Sequence, residues 1–354
     1  MDGDDIKISK RKPSYPVSKQ LSSYLSTYKR NVRIPIFYDD LLRFDGSIIV
    51  YDEDDNDTLW VRVYYNEFER EEIDANLKKI YTILYSDGTE GLTKHLNIDA
   101  VDYCTFGNSK PFRIKIRNIL NDNYTYFYVK KADASRIYGL ELEHMLSPHN
   151  LSFLVYGDTL IEDHISGIPG DEFITKMLPE RTKKEKAQIA KEFIKFNERC
   201  MIRLLGDMRS YNYVVIPIHD FDQDVYKIRA IDFDQQCYEG KLNIYRPQFF
   251  KENVNMVKLV SDVIQETSLN QYVLEERSAI AKRLLSNKAR LELLIECMKS
   301  DHISKEENTN LLKSQLHDLT HDVNFKRSTN MGEVLESALD FVRRNYENIN
   351  TNYV

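Results

Sequence analysis

What the sequence lacks narrows it first. Its four cysteines, Cys104, Cys200, Cys237 and Cys297, form no CxxC pair, so neither a disulfide framework nor a cysteine zinc site is expected. No stretch approaches the roughly eighteen consecutive apolar residues of a membrane span, and the opening MDGDDIKISKRKPSYP has no apolar signal core. A soluble chain in a reducing cytoplasm is the expectation. A basic excess is missing too: the formal net charge is −7, which speaks against nucleic-acid or anionic-lipid partners. There is no internal repeat and no low-complexity segment, which argues against solenoids and arrays.

What is present is a globular composition. With 42% hydrophobic and 30% charged residues, the chain lies far from the disordered class. Its 354 residues leave room for two lobes, because single cores rarely grow beyond about 250–300 residues. Residues 1–20, with the basic cluster KISKRKP, read as a polar, flexible arm. Alternation from RIPIFYDDLL through SIIVYDEDDNDTLWVRVYY reads as a β-hairpin, and FRIKIRNIL with YTYFYVKK as a second. The acidic run from Asp52 to Asp57 lacks the glycine and terminal glutamate of a calcium loop, so it reads as a solvated turn. Helical spacing links Ile73, Leu77, Ile80 and Leu84, with Gly88 as a stop, and again Ile137, Leu142, Met145 and Leu146. After DTLIEDHISGIPG, residues 158–170, helix dominates. Thr182 and Glu185 form a capping box opening a helix with Phe193, Ile194, Asn197 and Met201 on one face. That helix runs into LLGDMRSYNYVV, after which YNYVVIPIHD and VYKIRAIDFD read as a hairpin.

Chemistry concentrates in that last region. Asp207 and Asn212 lie in a turn between helix and strand, and Asp232 follows at the end of the next hairpin. Phosphoryl transfer needs an aspartate to orient the attacking hydroxyl and two oxygen-bearing side chains to hold Mg²⁺ against phosphates. The order Asp, Asn, hairpin, Asp supplies all three. Asp234 is either a third carboxylate near the metal or, more plainly, a solvated acid at a strand end. His317 and His321, four apart on a helix with no glutamate between them in the HExxH manner, read as a polar helix face. The tyrosine-rich strands read as core and sheet surface, and Cys200 as a packing residue.

The stretch GDMRSYNYVV…IRAIDFD resembles the catalytic loop of the aminoglycoside phosphotransferase and choline kinase group, relatives of the protein kinases. The resemblance spans residues 103–240. It implies an α+β, two-lobe protein-kinase-like fold: an N-terminal lobe with an antiparallel sheet and a helix, and a larger, mainly helical C-terminal lobe. It also implies ATP and Mg²⁺ as cofactors. Asp207 takes the place of the catalytic aspartate, Asn212 and Asp232 the Mg²⁺ ligands, and Arg209 a residue near the transferred phosphate. FYVKKADASRIYGLELEHML is similar to the third strand and following helix, with Lys130 placed on the phosphates and Glu141 steadying it. Lys131 and Glu143 are the competing choices. Glu162, Asp163 and His164 stand where a hinge would offer backbone groups to adenine. Ser109 belongs to FGNSKPF, the nearest substitute for a glycine-rich phosphate loop, and Leu205 stands where the group has a histidine.

The expected division is an arm over 1–20, an α+β extension over 21–102, an N-lobe core over 103–161, a C-lobe over 162–300 and a helical segment over 301–354. The expected activity is phosphate transfer to a hydroxyl acceptor, a small molecule or a protein, with the acidic balance suiting a cationic small molecule. A nucleotide-sensing or scaffolding pseudokinase is the alternative from another class, and a protein-modifying kinase or nucleotidyl transfer would keep the site and change the reaction. The sequence sets no oligomeric state.

Overall fold

The computed structural model describes residues 12–86, 90–107, 109–220 and 223–346. Gly88, Asn108 and residues 1–11 therefore lie outside the described residues. Two units result: the first lies within Arg11–Ala134 and Leu151–His164, the second within Ser135–Asn150 and Ile165–Val354. The last passage of the chain from one to the other follows His164, in the stretch expected as a hinge.

Among the described residues of the first unit, seven strands form one antiparallel sheet: β1 (Gly46–Tyr51), β2 (Asp57–Tyr64), β3 (Leu96–Cys104), β4 (Phe112–Asn118), β5 (Asn123–Lys131), β6 (Phe153–Tyr156) and β7 (Thr159–Asp163). Their order is β1-β2-β3-β4-β5-β7-β6. Both expected hairpins are there, β1 with β2 and β4 with β5. Along β4, Phe112, Ile114 and Ile116 are buried while Arg113, Lys115 and Arg117 remain partly exposed. This is the period of two that a strand with one covered face requires. Helices α1 (Lys19–Thr27) and α2 (Tyr38–Leu41) precede β1; the covered face shares a core with α3 (Glu67–Tyr85) through Ile73, Leu77 and Ile80, and each such fully buried side chain contributes about 1.5–3 kcal/mol. Asn66 caps α3, its side chain accepting the Glu69 N–H at 3.0 Å.

The boundary expected between 102 and 103 falls inside β3, which pairs with β2 on one side and β4 on the other. Extension and core are thus one sheet over one hydrophobic core. The acidic turn is exposed and held locally: Asp52 accepts the N–H groups of Asp54 at 2.9 Å and Asn56 at 2.8 Å. The described part of the polar arm is tied down. Lys12 pairs with Asp133, the Tyr15 N–H donates to Asp133 at 3.0 Å, and the Ala134 N–H donates to the Tyr15 carbonyl at 2.8 Å.

The second unit is mainly helical, with α4 (Ala134–Leu146), α5 (Lys183–Arg203), α6 (Val254–Val263), α7 (Glu266–Ser286), α8 (Lys288–Ser300), α9 (Glu306–Thr320), α10 (Val323–Arg327) and α11 (Met331–Asn345). A small antiparallel sheet of β8 (Ile168–Pro169), β9 (Tyr213–Asp220) and β10 (Gln223–Ala230) completes it. The capping box opens α5 as expected: Glu185 accepts the Thr182 N–H at 2.8 Å and the Thr182 hydroxyl accepts the Glu185 N–H at 3.3 Å. Downstream, Ile189, Ala190, Phe193, Phe196 and Met201 are buried.

Buried charges on α5 are paired. Arg199 meets Glu192 at 2.7 Å and Glu276 at 3.4 Å, Glu198 meets Arg277 at 2.6 Å, and Arg203 pairs with Glu143. That last pair helps explain why α4, expected in an N-lobe core over 103–161, belongs to the helical unit instead. Its buried Arg136, Glu141 and Glu143 find their oppositely charged partners Asp232, Arg290 and Arg203 there. The C-terminal helices join the same unit, α11 packing on α8 and α5. His321 ends α9 in left-handed backbone at φ +57°. The α+β class expected from the sequence, an antiparallel sheet unit and a larger helical one, is what the structure has. Among the described residues no helix is long and apolar enough to cross a membrane.

Candidate functional site

The helix α5 stops at Leu204, whose backbone turns left-handed at φ +54°. Leu205, where a histidine was expected, is buried in the core, its N–H donating to the Cys200 carbonyl at 2.9 Å and its backbone bridging to Gln236. Gly206 follows in a tight place: a Cβ there would lie 3.0 Å from Ile244 Cγ2 and 3.2 Å from the Gln235 carbonyl, so a larger residue would require these neighbours to shift by a few tenths of an ångström. Asp207 then adopts φ +60°, a conformation that costs a non-glycine residue energy and is tolerated where the surroundings impose it. Here they do. The Asp207 N–H donates to the Ile244 carbonyl at 3.1 Å, and its own carbonyl accepts the Arg209 N–H at 2.8 Å and the Asn212 side-chain amide at 2.7 Å.

The rest of the loop is anchored to the following hairpin. The Asn212 N–H donates to the Arg209 carbonyl at 2.9 Å, and the Ile231 N–H, just beyond β10, donates to the Asn212 carbonyl at 3.0 Å. One residue later stands Asp232. The structure therefore gathers Asp207, Arg209, Asn212 and Asp232 on one short, stitched segment of the helical unit. Gln236 completes the stitching by donating its side-chain amide to the carbonyls of Arg203 and Leu204.

Charges in this cluster are unevenly matched. Arg209 donates through Nε to Asp207 at 2.9 Å and through a terminal nitrogen to Glu252 at 2.6 Å, so its charge is shared between two acids. Burial pulls Arg209 down, but Glu252 and Asp207 hold it above its ordinary value. Asp207 is pushed up to about 7, first by burial, with Asp232 and Glu252 adding to the rise and Arg209 opposing it. A buried Arg136 on α4 donates from a single nitrogen to Asp232 at 2.8 Å and to Asp234 at 2.7 Å. Asp234 is thus not the plain solvated acid of the strand-end reading; it is half of a carboxylate pair closed over a guanidinium.

The other expected residues lie elsewhere in the fold. In the sheet unit, strand alternation separates the two lysines: Lys130 is buried and contacts Glu162 at 2.7 Å, whereas Lys131 is exposed and lies 3.6 Å from Asp39. Glu141, fully buried on α4, accepts two nitrogens of Arg290 at 2.8 and 3.0 Å, and Glu143 pairs with Arg203. The strand ladders use the backbone of Glu162, and the Asp163 N–H donates to the Ser152 carbonyl at 3.0 Å. Of the three expected hinge residues only His164 lies beyond the strand. Its ring is 3.1 Å from the Tyr128 hydroxyl, and burial pulls its pKa down. Ser109 is half-buried in the turn between β3 and β4.

Among the described residues no group of three or more His, Cys, Asp or Glu side chains could hold a metal by itself. Asn212 spends its amide nitrogen on Asp207, which leaves its amide oxygen as the atom suited to a cation. Together with Asp232 that gives two oxygen donors, the number Mg²⁺ commonly takes from a protein when substrate phosphates and water supply the rest. Among the described residues, four acids, Asp207, Asp232, Asp234 and Glu252, face two arginines here, Arg136 and Arg209, an excess that favours a dication. Arg136 and Glu252 carried no sequence signal, since their partners lie far along the chain.

No family model and no curated protein sequence matches the chain. Among solved structures it is similar to an ethanolamine kinase of Plasmodium vivax, with 11% sequence identity, 80% of this chain and 92% of that chain covered, and a TM-score of 0.31. At that score the likeness carries no argument, and function rests on the geometry.

Proposed function

We propose that the chain is a phosphotransferase that moves the γ-phosphate of ATP, with Mg²⁺, to a hydroxyl of a small acceptor molecule. The observation that supports this most is Asp207: a carboxyl pushed up to about 7, in a strained backbone position, on a loop fixed at both ends. A general base is most effective when its pKa lies near the working pH. In the proposed step the acceptor oxygen bonds to the γ-phosphorus while the bond from that phosphorus to the β-bridging oxygen breaks and ADP departs. The acceptor proton goes to a carboxylate oxygen of Asp207. Asn212 and Asp232 would hold Mg²⁺, which when bound offsets phosphate charge. Arg209 keeps Asp207 ionised and oriented. The overall charge of −7 and the acid-rich loop suit a cationic acceptor.

A second reading, nucleotide sensing without turnover, is favoured by one observation: Asp232 is already neutralised in part by Arg136. A thermal-shift titration joined to a coupled ADP assay separates the two. ATP with Mg²⁺ should raise Tm, and Asp232→Ala should abolish that rise. A rise with ADP release supports phosphotransfer, and a rise without release supports sensing. Neither a rise nor release removes both.

A further inference from the structure

We infer that Arg136 takes the place of a metal ion: its guanidinium is a fixed cation between Asp232 and Asp234, so that the loop cluster accepts one divalent cation where protein-kinase sites hold two. One nitrogen lies 2.8 Å from an oxygen of Asp232 and 2.7 Å from an oxygen of Asp234, bridging the two carboxylates as a single ion would. The Asp234 N–H donates to the same Asp232 oxygen at 3.0 Å, which fixes the acids relative to each other. The side chain of Arg136 is 2% exposed, against 35% for Asp232 and 20% for Asp234. The cation therefore forms the floor of the pair and the acids reach outward from it.

Phosphoryl transfer in protein kinases uses two Mg²⁺ ions to neutralise charge on the phosphates. An arginine cannot lose its proton at any working pH and cannot diffuse away. Its helix is also held in place, because Glu141 and Glu143 of α4 are locked to Arg290 and Arg203 within the same unit. A guanidinium carries half the charge of the ion it replaces. The excess of acids around it leaves room for one dication, on Asn212 and Asp232. The inference takes the reaction from the phosphotransfer proposal, but its test counts metal ions and needs no turnover.

The probe is Mn²⁺, titrated into the nucleotide-free full chain and counted from the loss of its free-ion electron paramagnetic resonance signal. The native protein should bind at most one Mn²⁺ at this cluster. Arg136→Met, which empties the space between two carboxylates, should bind one more and gain a larger Mn²⁺-dependent rise in Tm than the native protein; adding Asp234→Asn should cancel both gains. If Arg136→Met does not fold, Arg136→Lys keeps the charge on a shorter, single-centred group and should give a smaller gain of the same sign. Native protein that binds two Mn²⁺ overturns the inference. So does a folded variant whose Mn²⁺ count and Tm response equal the native ones. Native protein that releases no ADP, while Arg136→Met still gains Mn²⁺, would fault the phosphotransfer proposal and leave the metal replacement standing.

Discussion

Two acid–arginine pairs in the helical unit have opposite electrostatics. Glu143 with Arg203 lies deep against α5, and Asp207 with Arg209 lies in the loop that follows it. Burial pushes Glu143 up, yet Arg203, a hydrogen bond from Ser147 and the nearby Arg199 together hold it below the ordinary carboxylate range. Asp207 is less buried and still rises to about 7. Arg203 has Glu143 as its own acid, whereas Arg209 divides its charge between Asp207 and Glu252, with Asp232 close by. Exclusive pairing builds scaffold, and shared pairing leaves an acid ready to take a proton.

The most direct way to break the comparison is at the shared pair. Asp207→Asn should cut phosphate transfer by about 10²–10⁴, read in a coupled ADP assay, while the fold persists. In the native protein kcat/KM should fall about tenfold per pH unit below about 7, as the base takes its proton. Stability moves the other way. The folded pKa of Asp207, about 7, lies above its unfolded value of about 3.9, so the native state binds the proton more tightly between them. Its contribution is full below the lower value and is lost as pH rises through the upper one. Tm of Asp207→Asn should therefore exceed that of the native protein at pH 8 and match it at pH 4. Equal Tm differences at both pH values would show that Asp207 does not titrate as described.

At the exclusive pair, Arg203→Met strands a carboxylate that is almost wholly excluded from water. Removing one partner of a buried pair costs about 3–5 kcal/mol, measurable as a lowered urea midpoint with unchanged slope. Adding Glu143→Gln should restore much of that loss, because the stranded charge goes with it. A single variant as stable as the native protein would mean that Glu143 protonates cheaply, and the contrast with Asp207 would disappear.

The loop from Gly206 to Asn212 was legible in sequence because its residues are local. Gly206, Asp207 and Asn212 sit within seven residues, and the hairpin that brings Asp232 back announces itself by alternation. Likewise the Thr182–Glu185 box marked the start of α5. By contrast β3 went unread, since its pairing with β4 shifts register between Ile98 and Ala100 and a bulge breaks the period of two. The short strands β6 and β7 are buried almost throughout, so they show no alternation to find. Long-range charge pairing was beyond reach as well. Nothing near Arg136 names Asp232, 96 residues away, and nothing near Glu141 names Arg290, 149 residues away.

Arg209→Met sharpens the comparison with the smallest effect. It too removes the arginine from beside a carboxylate, yet its cost should fall well below that of Arg203→Met. Asp207 titrates near 7 already, so on losing Arg209 it takes a proton at little cost near neutrality, whereas Glu143 is held below the ordinary range chiefly by Arg203, so taking up a proton after that arginine is lost forfeits the stabilisation the pair supplied. Arg209 is also the more exposed arginine, at 18% against 2% for Arg203, which weakens its pair by solvent screening. Because Arg209 lowers the Asp207 pKa, its removal should move the acid limb of the kcat/KM profile to higher pH. The stability loss should grow as pH rises through that shifted limb, because only there does Asp207 stand ionised without its partner. Urea unfolding at pH 6 and pH 9 measures this: a loss that is equal at both pH values would place Glu252, and not Asp207, as the acid that Arg209 serves.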